Sequence, residues 1–198
     1  ALLSSAYCAP VQWFQKLNRY DMVMVEQYDN FLKQTYRNRC IIATANGTQA
    51  LTIPVERPAG EKCLMRDVRI SDHGNWRRLH WNALATAYGD SPFFDYYVDD
   101  LHPLFAKKRE FLFDFNMEMT EVLCELLDIR PKISLTTSYV DEAENDFRDA
   151  IRPKHPLPDS DFEPVQYYQV YSQRHGFIPN LSILDLLFNM GNEAVFYL

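Results

Sequence analysis

Two groups of side chains have the types and spacing of a chemical site. The first is Lys33, Arg37 and Arg39 in the run LKQTYRNRC. In an extended segment alternation would put Arg37 and Arg39 on one face. Two guanidiniums there can grip phosphate or carboxylate oxygens through paired N–H donors. The structural alternative is a solvated strand end whose charges pair with Glu26 and Asp29, and the residues alone leave both open. The second group runs from Asp67 through Arg69, Asp72, His73, Gly74 and Asn75 to Trp76. A polar loop just before a helix offers an anion free N–H groups and the positive end of the helix dipole. His73 supplies an acid or base that titrates near neutral pH, Asp72 would orient it, and Arg69 and Trp76 would contact substrate. The alternative is capping by Asp72 or Asn75 with an incidental histidine. His80 falls on the apolar helix face one turn after Trp76, as a third catalytic candidate or as a buried, hydrogen-bonded core histidine.

Other chemistries find less support. His73 and His80 are seven residues apart, not the four that would put two metal ligands on one helical face, so no metal site is expected. Cys8 lacks an identifiable partner base and reads as a core thiol. With 6 glycines in the chain and no phosphate-loop, dinucleotide-loop or nucleophile-elbow pattern, no cofactor is assigned. A net charge of −7 argues against nucleic-acid binding and against an acidic membrane surface. The balance is uneven, however: residues 1–89 carry 11 Lys and Arg against 7 Asp and Glu, and residues 90–198 carry 9 against 20. A local pocket for a small anionic substrate therefore remains open. The 4 scattered cysteines are expected to be reduced. With no run of about 20 apolar residues and no export signal, the expectation is a cytoplasmic protein without membrane insertion.

Positioning these groups falls to an expected single compact α/β domain over all 198 residues. A strand over residues 2–8, a helix over 11–19 and a strand over 22–26 make a parallel βαβ start. Strands over 40–45 and 49–55 form a hairpin across Asn46-Gly47. Short strands are predicted over 67–71 and 132–140. Helices are predicted from 75 to 88 closed by Gly89, over 92–105 with a turn at His102-Pro103, over 111–127 as the longest, and over 181–190 ended by Gly191. The result is a small mixed sheet covered by about five helices. Residues 141–164 are acidic, carry four prolines and show no periodicity, which predicts a long surface loop with the character of a lid.

Several runs together resemble the WbqC-like family, in the form found in Bacteroides-type bacteria. They are Pro10 with Trp13-Phe14, the run Lys33 to Arg39, Leu51-Thr52-Ile53-Pro54-Val55, and Arg69 to Trp76 continuing through His80-Trp81-Asn82-Ala83-Leu84. Tyr88 with Ser91-Pro92-Phe93-Phe94 and the closing run Gly176 to Asn189 complete the set. The chain departs from many members near its start, having Ala9-Pro10-Val11-Gln12-Trp13-Phe14 where they read roughly Q-P-x-Y-F-P-x-x-G-Y-F. The resemblance implies a role in making bacterial surface-polysaccharide (O-antigen-like) precursors, with transfer of an amino acid or acyl group to a nucleotide-linked amino sugar. It carries over no catalytic residue. The alternative, slightly less favoured, is a non-catalytic binding or scaffold protein of a polysaccharide biosynthesis complex, with biosynthetic partner proteins or a second copy of itself as partners.

Overall fold

The computed structural model describes residues 1–56 and 62–198. Its centre is a three-stranded parallel sheet in the order β1-β2-β5, formed by β1 (Leu2–Ser4), β2 (Val23–Glu26) and β5 (Ile133–Leu135). Helix α1 (Val11–Arg19) is the crossover from β1 to β2, as the alternation of apolar runs predicts. The antiparallel hairpin β3 (Arg39–Thr44) and β4 (Gly47–Thr52) forms a second sheet, closing at Thr44 opposite Gly47. Helices α2 (Trp76–Tyr88), α3 (Phe94–Ala106), α4 (Leu112–Leu126), the single turn α5 (Ser172–His175) and α6 (Ile183–Met190) complete a mixed α/β domain. Among the described residues no helix is long and apolar enough to cross a membrane.

The core is one continuous cluster in which Leu3, Val23 and Val25 of the sheet meet Phe14, Phe115, Leu187 and Phe188 of the helices. Ser182 knits the pieces together. Its N–H donates to Ile41 in the hairpin, its hydroxyl donates to the Cys8 carbonyl, and the Ser182 oxygen caps α6 by accepting from Leu184. At the far end of α6, Gly191 has φ +57° and an added Cβ would lie 2.6 Å from the Phe93 ring. Gly191→Ala is therefore expected to destabilise the fold by about 1–3 kcal/mol through left-handed strain plus overpacking, read as a lowered urea midpoint. An unchanged midpoint would show that Phe93 moves aside freely.

Four expectations need correction. The first strand ends at Ser4, because residues 5–10 turn away to bond elsewhere: Tyr7 donates to the Tyr36 carbonyl, and Ala9 accepts from Ile183. Residues 67–71 make a 3-10 turn (Met65–Asp67) followed by single bridges of Arg69 to Phe111 and Ile70 to Val55 rather than a strand. The strand over 132–140 shrinks to β5. Helix α3 runs through Pro103 without the expected turn, on an exposed face where water can serve the carbonyl that proline leaves unpaired.

The 141–164 segment is only partly a surface loop. Leu2 donates to the Asn145 carbonyl and Phe147 donates back to Leu2, so residues 145–147 lie alongside β1. Phe147, Ala150 and Ile151 are buried in the core. Farther along, Asp159 is fastened to α1 by Gln12 at 2.8 Å and by the fully buried Lys16 at 2.9 Å.

Candidate functional site

Parallel strands end together, and the loops leaving their carboxyl ends diverge to form a crevice there. Here the carboxyl edge presents Ser4 from β1, Glu26 at the end of β2, Asp29 just beyond it and Thr136 just beyond β5. Glu26 is fully buried and its charge is spread over four partners. It accepts from the Tyr28 N–H at 2.8 Å, the Thr136 hydroxyl at 2.8 Å and the Val140 N–H at 2.9 Å, and it faces the Arg148 guanidinium at 3.6 Å. These bonds fix both the loop after β5 and Arg148. Arg148 is held further by Asp146 at 2.6 Å and lies over the Tyr139 ring.

Arg37 enters the same place from the turn before β3. Asn116 of α4 donates to its carbonyl at 2.8 Å, and Asn38 donates to Ile53 at 2.9 Å, so the turn is anchored on both sides. The buried Arg37 guanidinium pairs with Asp29 and donates to the Ser4 hydroxyl at 2.9 Å. Its Nε and the Asp29 Oδ1 have no partner among the described residues. Burial pushes the Asp29 carboxyl above the usual carboxylate range and outweighs the Arg37 charge that pulls it down.

Above this pair opens a cleft of about 360 Å³ with Arg37, Arg148 and Arg152 facing Asp29, Asp141, Asp146 and Asp149, and with Tyr139 on its wall. A smaller inner pocket of 10 Å³ lies between Arg37, Arg148, Ser4 and Trp13, with room for about one water. The cleft thus offers alternating positive and negative groups. A simple dianion would meet four carboxylates there; a ligand bearing both an ammonium and an acidic group would meet partners for each.

Of the first sequence group, Arg37 alone lines this cleft. Lys33 is exposed on the neighbouring turn. Arg39 points its guanidinium at the Thr52 hydroxyl of the facing strand, 3.1 Å away. The two arginines do not share a face, because Arg37 precedes β3 and is drawn inward by Asp29. The second group lies elsewhere, in the turn before α2 and against the start of α4. Asp72 is exposed and pairs with Arg77 and Lys108, both at 2.6 Å, which hold it below the usual carboxylate range. It does not cap α2, and Asn75 makes no side-chain cap bond either. His73 is exposed in the same turn. Arg69 pairs with Glu110 and stacks on Phe111.

Trp76 and His80 turn inward. The His80 Nδ1 lies 2.9 Å from the Tyr7 hydroxyl, and its ring sits against Trp76, 5.1 Å between centroids. Burial lowers its pKa to about 4, against a smaller opposing effect of the Thr52 carbonyl. His80 is therefore a neutral core histidine, and Asp72, His73 and His80 do not converge on one point. Among the described residues no three His, Cys, Asp or Glu side chains form a metal-binding group, and all four cysteines are free thiols. Sequence reasoning did not select Asp29, Glu26, Tyr139, Arg148 or Arg152 as site residues. The available signal was Glu26 and Asp29 directly after a buried strand, and a lone arginine in the acidic run before Asp149.

A small parallel sheet whose carboxyl edge opens into a cleft of paired arginines and aspartates, with a separate hairpin and helices around it, defines a mixed α/β domain. The chain belongs to the WbqC-like protein family, whose model matches residues 5–152 and 159–197. It is also similar to the uncharacterized protein Rv1507c of Mycobacterium tuberculosis (strain ATCC 25618 / H37Rv), with 25% identity over 223 residues that cover 100% of this chain and 96% of the relative. No solved structure gives a significant match.

Proposed function

We propose that the cleft at the carboxyl edge of the parallel sheet is a substrate site, and that the protein is a transferase acting on a polar small molecule that carries both an amino group and an acidic group. This fits the transfer of an amino acid or acyl group to a nucleotide-linked amino sugar in surface-polysaccharide synthesis. The observation that carries the reading is the pair Arg37 and Asp29, buried beneath the cleft, each with one polar atom unused. Native proteins rarely leave buried polar atoms unpaired, and a bound ligand is one way to satisfy them. An amine attacks an activated acyl carbon only after it has lost a proton, and as the new C–N bond forms the bond to the activating group breaks, releasing a thiolate or phosphate with the electron pair. Asp29, made more basic by burial, is positioned to take that proton, and Arg37 and Arg148 to hold the acidic group.

A thermal-shift screen with nucleotide-sugars, amino sugars, amino acids and acyl-coenzyme A tests this. A ligand at 100 times its Kd stabilises the native state by about 2.7 kcal/mol. Arg37→Lys keeps the buried ion pair, and Asp29→Asn keeps the volume and one acceptor oxygen but leaves the Arg37 charge unpaired, so the unfolding of each variant without ligand is measured beside its binding. Each is expected to weaken that ligand at least tenfold. Alanine at Arg37 is unsuitable, since it would strand the buried Asp29 charge and confound binding with folding. A silent screen overturns the assignment and favours the scaffold reading, and wild-type affinity in both variants overturns the placement of the ligand in this cleft.

A further inference from the structure

A second concavity lies away from the sheet, between α2 and the end of α3. It has a volume of about 380 Å³, and its charged lining consists of Arg77, Arg78 and Lys108, with Trp81, His102 and Phe105 as its aromatic groups. Unlike the cleft at the sheet edge, it has no carboxylate among its lining residues. Asp72 alone balances Arg77 and Lys108 from outside, and the Arg78 side chain makes no hydrogen bond or ion pair among the described residues. In a chain of net charge −7 this is a local reversal of sign. Trp81 is half-buried, with its indole backed by Phe105 at 5.6 Å and edged by His102 at 4.8 Å. The packing holds the indole in place while leaving part of it open.

We infer that this groove binds a phosphorylated ligand with a flat unsaturated ring, the chemistry of a nucleoside phosphate. Trp81 takes the ring by stacking, which suits any base because every base presents a π-face. Arg78 and Lys108 take the phosphate oxygens, Arg78 through its planar fork of N–H donors. The volume falls within the range usual for small-molecule sites. The acidic character of the rest of the chain disfavours a long polyanion and leaves a mononucleotide as the occupant. This inference does not rest on the reading of the sheet-edge cleft, because no residue is shared between the two.

Fluorescence of the full chain, titrated with nucleoside mono- and diphosphates at low ionic strength, tests it. Trp13 and Trp76 are buried and Trp81 is the tryptophan open to a ligand, so a stacked base is expected to quench a fraction of the emission saturably. Calorimetric titration of Trp81→Phe, Arg78→Ala and Lys108→Ala should each show at least a tenfold loss of affinity. All three sites are at least partly exposed, which keeps folding intact. Unphosphorylated nucleoside and inorganic pyrophosphate should each bind at least tenfold more weakly than the nucleotide. Asp29→Asn and Arg37→Lys should leave the quenching unchanged. No saturable signal at millimolar nucleotide overturns the inference, and so does pyrophosphate binding as tightly as nucleotide. Loss of the signal in the cleft variants, with retention in the groove variants, places the nucleotide in the sheet-edge cleft and likewise overturns it.

Discussion

Asp185→Ala is expected to destabilise the protein by about 3–5 kcal/mol, because it removes the shared acceptor of a sealed polar network. The Asp185 carboxylate is fully buried on α6 and accepts from the Tyr88 hydroxyl at 2.9 Å, the Tyr167 hydroxyl at 2.7 Å and the Gln169 amide at 2.8 Å. Burial, more than these donors offset, holds its carboxyl above the usual carboxylate range. Tyr88 in turn accepts from the Ala43 N–H in β3, and Gln169 also donates to the Ile178 carbonyl. One side chain therefore ties α6, the end of α2, the hairpin and the 167–178 segment together. Alanine would leave the Tyr88 and Tyr167 hydroxyls buried without their acceptor, take one acceptor from the Gln169 amide, and open a cavity beside them.

A loss of that size is a third or more of the stability of many domains. Urea unfolding should show the midpoint fall by more than about 1 M, with m nearly unchanged. Asp185→Asn keeps the volume and one acceptor oxygen, so it should cost visibly less. A loss below about 1 kcal/mol for alanine would mean that water enters and serves the stranded groups, and the network would then not be the fold's polar anchor.

Asp185 also shows how far a sequence can be read. A lone carboxylate in the apolar run Leu181 to Met190 has to face solvent or find internal partners, and that much follows from the cost of burying a charge. Which partners it finds depends on Tyr88, 97 residues away in the chain. Local signals fared in the same way. The 3.6-residue period and the flanking polar residues located α1 over Val11–Arg19, and Asn46-Gly47 located the hairpin to within one residue of its turn. Residues 5–10 are just as buried as a strand but run irregularly, because their backbone bonds go to Tyr36, Ser182 and Ile183 rather than to a neighbouring strand. Burial leaves the same apolar imprint in both cases.

The candidate site divides along the same line. Arg37 stood out because three basic side chains are concentrated in the run Lys33 to Arg39, and it does line the cleft. Arg39 stood out equally, but its direction depends on where β3 begins, which composition does not encode. Arg148 was invisible for a different reason. It reaches Glu26 only because residues 145–147 lie along β1, a pairing across more than a hundred residues that no local pattern announces. Side chains joined by short-range periodicity are legible in the sequence, and those joined by strand order are not.

His80 carries the other large expected effect, a loss of stability in acid. Its pKa is about 4 in the folded protein and 6.5 for an ordinary histidine, the value expected once the chain unfolds. Between those values the unfolded chain holds the extra proton, so the stability of the native state rises with pH across this window. The contribution is fully present above pH 6.5 and is lost progressively as the pH falls to about 4. A shift of this size corresponds to about 3 kcal/mol. The groups packed on the ring are Tyr7 and Trp76, neither of which carries charge in this range, so burial rather than a neighbouring charge sets the effect. His80→Gln isolates it from the carboxylates that titrate alongside, since the amide oxygen can still accept from Tyr7. The stability difference between wild type and His80→Gln, measured by urea unfolding, should shrink by about 3 kcal/mol from pH 6.5 to pH 4. NMR titration of the His80 imidazole in the folded protein should give a midpoint near 4. A midpoint above 6 would mean that water reaches the ring, and a site role for His80 would then be open again.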